Sequence, residues 1–228
     1  PRKHTMNILH LDASPQGADA SVSRQLSAAA VARLQAKHTG ATVVRRDLAT
    51  DAPGHLSGLE LGGFFTPPEQ WNDAMKSAMA LNGTILAEFL AADVIVIGTP
   101  MYNFGVPSSL KAWVDRVVRA GVTFKYGANG PEGMITGKSL VVLSSRGGVY
   151  EGTPWGAALD HQEKYLQDIM GFLGVKECTR IRAEGTNMGD EVKGKGDEIL
   201  FIHGNGIGRQ VFSCGAVLRV SAPRILRT

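Results

Sequence analysis

A chain of 228 residues with 43% hydrophobic and 20% charged side chains has the size and balance of one soluble α/β domain with a sizeable core. Its formal net charge of +3 is mild and its basic residues are scattered, which argues against a nucleic-acid partner. No apolar run reaches the length of a membrane span, no secretory signal precedes the first strand, and Cys178 and Cys214 lack metal-ligand spacing, so a cytoplasmic protein with free thiols is expected.

Residues 1–5 read as an extension ahead of Met6 and are set aside. Met6 to Asp12 is a short apolar strand that runs into a loop of small and hydroxylated residues, Ala13 to Ser23. A helix follows with Leu26, Ala30 and Leu34 on one face, and Ser21 or Ser23 is placed to cap it. Hydroxyls and free amides at a helix N-terminus, just after a first strand, also make a phosphate seat. From the loop alone, capping and phosphate binding both stand.

Ala41 to Asp47 reads as the second strand, and its two arginines suggest a sheet edge. Leu48 to Gln70, with Pro53, Pro67, Pro68 and Gly62-Gly63, is expected to be a loop or lid. Met75, Ala78, Met79, Leu86, Phe89 and Leu90 form the next helical face. Val94 to Ile97 is a run of β-branched residues, the mark of a strand buried on both faces. The run is expected to break from Gly98 to Asn103, and a helix to begin after Pro107 with Leu110, Trp113, Val114, Val117 and Val118 as its stripe. Asp115 and Arg119 stand at a spacing that favours pairing.

Thr123 to Tyr126 is a short excursion before a turn-rich segment. Ser139 to Ser145 is a fourth buried strand ending in Arg146-Gly147-Gly148. Asp160 to Leu173 reads as a helix and Glu177 to Glu184 as a fifth strand. Five strands separated by helices predict a doubly wound parallel sheet of flavodoxin-like type, order 2-1-3-4-5, with helices on both faces. That domain spans residues 6–192. A tail, 193–228, lacks the period of the closing amphipathic helix expected there.

Two motifs fail on context. Gly137-Lys138-Ser139 resembles the end of a P-loop, but Glu132 takes the place of its first glycine and a strand, not a helix, follows. Gly204 to Gly208 resembles a dinucleotide fingerprint, yet the third glycine is misplaced and too few residues remain. The six histidines show neither metal spacing nor a paired acidic partner, and His10 reads as a satisfied core residue. Glu184 reads as a strand-end charge. A chain without an acid, base or nucleophile of its own points to chemistry carried by a cofactor.

Three loops at strand ends suggest which one. The first offers hydroxyls and amides. Pro100 to Phe104 offers apolar and aromatic surface with one amide side chain, and Ser145 to Gly148 lets a backbone approach closely. A phosphate seat with two flat, partly polar walls suits FMN, whose reduced form gathers negative charge that amides at Gly147 and Gly148 could stabilise.

Several blocks then carry a resemblance: Pro-Met-Tyr-Asn-Phe (100–104), Arg-Ala-Gly-Val-Thr-Phe-Lys-Tyr (119–126), Asn-Gly-Pro-Glu-Gly (129–133) with Thr-Gly-Lys (136–138), Ser-Ser-Arg-Gly-Gly (144–148), Gly-Phe-Leu-Gly (171–174) and Ala-Glu-Gly (183–185). In this order, over roughly residues 6 to 190, they resemble the FMN-dependent NADH azoreductases, also described as NADH:quinone oxidoreductases. The resemblance implies FMN contacts at Ser14, at Ser21, Val22 and Ser23 for the phosphate, at Met101, Tyr102, Asn103 and Phe104 along the ring, and at Ser145, Arg146, Gly147 and Gly148 on its pyrimidine side. It implies a substrate cavity with Phe104, Tyr126 and Phe172, NADH or NADPH as donor, quinone or azo acceptors, and a homodimer. No side chain is assigned as catalytic, and no metal, membrane or nucleic acid is implied. Members commonly carry Ser-Gln-Ser where this chain has Ser21-Val22-Ser23, and their final helix is unmatched beyond about Val192. A flavodoxin-type electron carrier and a flavin reductase are the rival readings.

Overall fold

Every residue of Val94–Pro100 (β3) is buried, because successive side chains feed two separate cores. Ile95 and Ile97 join Leu9, Leu11, Leu140 and Val142 on one face of the sheet, while Val94 and Val96 join Ile8, Val141, Leu143 and Ile181 on the other. This computed structural model describes residues 5–188 and the backbones of three further strands, 199–203, 206–210 and 217–221. The expected extension, apart from Thr5, and most of the tail therefore lie outside the described residues, as does Cys214. Cys178 is a free thiol.

In chain order β1 (Asn7–Asp12) leads to α1 (Val22–Lys37), β2 (Thr42–Asp47), α2 (Gly58–Phe65) and α3 (Asp73–Ala91). β3 is followed by α4 (Ser108–Val117), the hairpin β4 (Phe124–Gly127) and β5 (Gly130–Gly133), and β6 (Ser139–Ser145). Then come α5 (Gly156–Leu159), α6 (Gln162–Leu173), β7 (Glu177–Glu184), and β8 (Ile199–His203), β9 (Gly206–Gln210) and β10 (Val217–Ser221). The parallel order is β2-β1-β3-β6-β7, the predicted 2-1-3-4-5 with β6 and β7 as fourth and fifth strands, and β2 is the edge its arginines suggested. β10 adds an antiparallel sixth strand beside β7, from Val217 opposite Glu184 to Ser221 opposite Arg180. Helix α1 covers one face and α3, α4 and α6 the other. Among the described residues, no helix is long and apolar enough to cross a membrane.

Three local expectations are corrected. Gly98 does not break β3 but lies within it. Asp115 bonds Lys111, while Arg119 stacks on the Phe64 ring with 3.7 Å to its centroid. The segment 48–70 holds α2 and a 3₁₀ turn, Pro68–Gln70.

The start of α2 is specified by a reciprocal cap: the Ser57 hydroxyl accepts from the Glu60 amide and the Glu60 carboxylate from the Ser57 amide. Glu60 is also the hub that ties α2 to its neighbours. It takes a bond from Arg116 on α4 at 2.5 Å and from Asn82 on α3 at 3.0 Å, and Arg116 reaches the Gly54 carbonyl at 3.1 Å. A loose lid would not carry a buried guanidinium across three elements. Burial alone would raise the Glu60 pKa, but bonds from Ser57, Asn82 and Arg116 outweigh it and bring it from 4.5 to about 2. A depressed carboxylate stabilises the fold above its unfolded pKa, and that stabilisation is lost as pH falls through the folded one. Stability should therefore decline between about pH 4.5 and pH 2, by up to about 3 kcal/mol from this group. Urea midpoints measured across that range should fall less steeply in Glu60→Gln, and an acid limb equal to that of the parent chain would remove Glu60 from this role.

Candidate functional site

The carboxyl ends of β1, β3 and β6 open onto one cleft, beside the point where strand order reverses. On its first side, the Ala13 amide bonds the Gly98 carbonyl at 2.9 Å, so the loop after β1 leaves directly over β3. Ser14 is buried and its hydroxyl accepts from the Gln16 amide. Ser21 caps α1, its Oγ accepting from the Arg24 amide at 3.4 Å and lying 3.2 Å from Ser23 Oγ. The first-turn amides of Val22 and Ser23 have no intrahelical acceptor and sit at the positive end of the helix dipole. The Arg24 side chain turns inward, donating to the Ser14 carbonyl at 2.6 and 3.1 Å and to Asp47 at 2.6 and 2.7 Å.

Below this loop, Ser27 Oγ donates to Asp12 at 2.7 Å and meets His10 Nε2 at 2.9 Å, and Arg45 reaches Asp12 at 2.8 Å. Burial would raise the Asp12 pKa, yet bonding and charge from His10, with bonds from Arg45 and Ser27, bring it down to about 2. His10 is a satisfied core residue as expected, but it does have an acidic partner, Asp12 at 3.3 Å. A strand's alternate residues point to one face, and that spacing was the available signal.

On the second side, Met101 leaves β3 with its amide on the Ser145 carbonyl at 2.7 Å. Tyr102 and Gly105 exchange backbone bonds of 3.1 and 3.0 Å around Asn103 and Phe104, whose φ angles are +49° and +68°. Both central residues of this tight turn are left-handed, a conformation easy for Asn and costly for Phe. The Phe104 carbonyl accepts from the His161 amide at 3.0 Å, which ties the turn to the start of α6.

On the third side, the carbonyls of Arg146, Gly147 and Gly148 are all taken, by the amides of Thr186, Asn187 and Gly185 at 3.1, 3.1 and 3.0 Å. Among the described residues, no backbone carbonyl accepts from the amides of Gly147 or Gly148. A Cβ on Gly147 would stand 2.7 Å from the end of the Asn187 side chain, so a larger residue there would displace that amide.

The cleft encloses about 180 Å³ and is lined by the predicted Ser14, Ser21, Val22, Met101, Tyr102, Ser145, Arg146 and Gly147. Ser23 is fully buried behind it, and Asn103, Phe104 and Gly148 stand outside its lining. Gln16, Ala20, Pro100, Thr186 and Asn187 line it too, and sequence reasoning missed them. The last two follow β7, and the rule that ligands sit at strand carboxyl ends covers that strand as well.

Arg146 reaches the cleft through its main chain, because its guanidinium is fully buried against Asp160 at 2.6 Å. Glu184 ends β7 but is more than a strand-end charge. It is fully buried and accepts from the amides of Tyr150 and Glu151 at 3.2 and 3.3 Å. The predicted cavity residues fall into two groups within the chain. Phe104 lies edge-on to Tyr150 with centroids 6.2 Å apart, whereas Tyr126 and Phe172 flank Phe124 at 5.5 and 4.8 Å.

The family model described as flavodoxin-like fold matches residues 6–199. The chain is 49% identical over 190 residues to the FMN-dependent NADH:quinone oxidoreductase of Delftia acidovorans, covering 83% of this chain and 89% of that protein. Its structure is similar to an azoreductase from Bacillus anthracis strain Sterne, with a TM-score of 0.75, 32% identity, and 81% and 89% of the two chains covered. It is likewise similar to an FMN-dependent NADH-azoreductase from Bacillus anthracis strain Ames Ancestor in complex with FMN, with a TM-score of 0.74, 25% identity, and 82% and 90% covered. With this match over most of its length, the chain belongs to the flavodoxin-like family that includes the FMN-dependent NADH:quinone oxidoreductases and azoreductases.

Proposed function

We propose that this protein is an FMN-dependent NADH:quinone oxidoreductase that also reduces aromatic azo compounds. The observation that carries the reading is one cleft with two unlike amide-rich ends: the α1 N-terminus with Ser14 and Ser21, and the turn at Gly147, whose amide no backbone carbonyl takes among the described residues. The donor set fits FMN, since hydroxyls and first-turn amides suit a phosphate and fixed glycine amides suit the edge of a heterocycle. When bound, FMN accepts hydride from NADH and gives it to a quinone or azo acceptor.

The residues of this chain bind and orient. Ser14, Ser21 and the amides of Val22 and Ser23 would hold the phosphate, and the chain from Met101 to Phe104 would flank the ring. Ser145 to Gly148 would offer amides to its pyrimidine side. No side chain is assigned a proton transfer, so protons come from solvent. Donor and acceptor would share this one cleft in turn, so ping-pong kinetics are expected. The free Cys178 thiol suits a reducing, cytoplasmic setting.

The reading includes a homodimer. A volume of about 180 Å³ falls below the roughly 300–1,000 Å³ of most ligand pockets. Tyr126, 78% exposed, and the half-exposed Phe172 lie apart from Phe104, and a second copy is the natural source of the missing wall. The expected species in light scattering is a dimer whose visible FMN spectrum bleaches with NADH and recovers when a quinone or azo dye is added. A protein that takes up no FMN, or that bleaches and cannot pass electrons on, would end this reading. Loss of FMN to solvent during turnover would favour a flavin reductase.

Phe104 gives a second measurement. Glycine relieves the positive φ and alanine does not, so Phe104→Gly should melt about 3 °C above Phe104→Ala. Both substitutions should lower kcat/KM for quinones about fivefold through loss of ring contact. Equal melting points would show that the turn carries no strain.

A further inference from the structure

Behind the Ser145–Gly148 turn lies a buried charge cluster to which the hydride-transfer reading gives no part. The Arg146 side chain is fully buried, with Nη1 2.6 Å from Asp160 and 3.6 Å from Glu184, and Nη2 3.4 Å from Glu163. Gln162 adds a bond at 3.2 Å. Arg182 donates to Glu163 through Nε at 3.0 Å, and Ser144 Oγ reaches the same carboxylate at 2.5 Å. Burial alone would raise the Glu163 pKa, but Arg182, Ser144 and Arg146 hold it below the ordinary value. Two guanidiniums, Arg146 and Arg182, thus meet the carboxylates of Asp160, Glu163 and Glu184 behind the turn, and Arg182 also reaches Glu151 at 3.0 Å.

Stability does not account for such a grouping. Desolvation of buried ions largely offsets their attraction, and well-packed apolar side chains serve the fold as well. Its position is more telling. Arg146 is the first residue after β6, Glu184 the last of β7, and Asp160 follows α5, so the charges converge behind one wall of the cleft. The turn in front of them has its three carbonyls bonded to Gly185, Thr186 and Asn187, while no backbone carbonyl among the described residues takes the Gly147 and Gly148 amides. Glu184 also holds the next amides along the loop, those of Tyr150 and Glu151. In a low-dielectric interior, a fixed charge one residue away acts strongly on whatever meets those amides.

We propose that Arg146 is a positioning residue for the cofactor edge: held by Asp160, Glu163 and Glu184, it fixes the turn that carries the Gly147 and Gly148 amides, and its positive charge offsets the surrounding carboxylates, so that the reduced, negatively charged form of bound FMN is less disfavoured than it would be without it. This rests on the FMN reading above. It assigns Arg146 a role from inside the fold, by field and geometry, with no side-chain contact to the ring.

The test is the midpoint potential of bound FMN, read against reference dyes, together with FMN affinity. Arg146→Met should weaken binding of reduced FMN about tenfold relative to oxidised FMN, a fall of about 30 mV for two electrons. Arg146→Lys, which keeps the charge without the planar fork, should lie between that variant and the parent. Asp160→Asn leaves Arg146 less neutralised and should move the potential the other way, by about threefold or about 15 mV. A purely structural role would move Arg146→Met and Asp160→Asn in the same direction, or change affinity with no change in potential, and either result overturns the proposal. Should Arg146→Met fail to fold, an unchanged or lowered potential in Asp160→Asn overturns it alone. A parent protein that binds no FMN overturns the functional reading and this proposal together, whereas a parent that binds it beside unmoved variants overturns only the role of Arg146.

Discussion

A Cβ at Gly98 would stand 2.6 Å from the Ser27 hydroxyl and 2.9 Å from the Ser23 carbonyl, so α1 crosses β3 at a distance only glycine permits. That approach delivers the first turn of α1 to the gap between β1 and β3, where the strand order reverses. It also sets Ser27 against Asp12 and His10, which fixes the floor below the serine loop. A bulkier residue at position 98 would push the helix outward and carry the amides of Val22 and Ser23 away from the strand ends. The cleft is thus a consequence of backbone packing before it is a matter of side-chain chemistry.

Loops at strand ends lack the regular bonds of the sheet, and here buried arginines replace them. Arg24 holds the Ser14 carbonyl against Asp47, Arg116 holds the Gly54 carbonyl against Glu60, and Arg146 sits among three carboxylates behind its own turn. A guanidinium suits this use because its planar fork bonds two segments at once and it stays charged when buried. The network around Asp12 and the one around Arg146 stand behind opposite ends of the cleft. Its walls are therefore set by interactions inside the fold, and solvent has little leverage on them.

The strands were legible because their patterns are simple. The predicted Ser139–Ser145 and Glu177–Glu184 are β6 and β7 to the residue, and Val94–Ile97 showed its double burial in four β-branched side chains. The serine loop and the Met101–Phe104 and Ser145–Gly148 turns were found for the same reason, since they follow strands. What failed were residues whose role depends on a distant partner. Gly98 looked like a breaker because a glycine needed for close packing has the same letter as one needed for a turn. Segment 48–70 looked like a lid because its prolines and glycines outweighed the Ser57-x-x-Glu60 cap, and nothing local announces that Arg116, 56 positions on, completes it. Thr186 and Asn187 were passed over, and Glu184 was read only as a strand-end charge, because their bonds run to residues 146–151, on another strand's loop.

On the proposed reading, the two ends of the cleft face different electrostatic tasks. A phosphate keeps its charge throughout a reaction, so a helix N-terminus with hydroxyls, whose partial positive charge is permanent, is sufficient there. The edge of a redox-active ring gains and loses charge in every cycle. An unneutralised guanidinium behind that edge would favour the reduced form so strongly that passing electrons onward would run uphill. An apolar wall would disfavour it and slow uptake from the donor. Under the proposal, Arg146 among the carboxylates of Asp160, Glu163 and Glu184, set behind a turn whose carbonyls are bonded, would temper the field at that edge. On this view the carboxylates around Arg146 matter as much as the arginine, because they moderate the charge that the cofactor edge experiences.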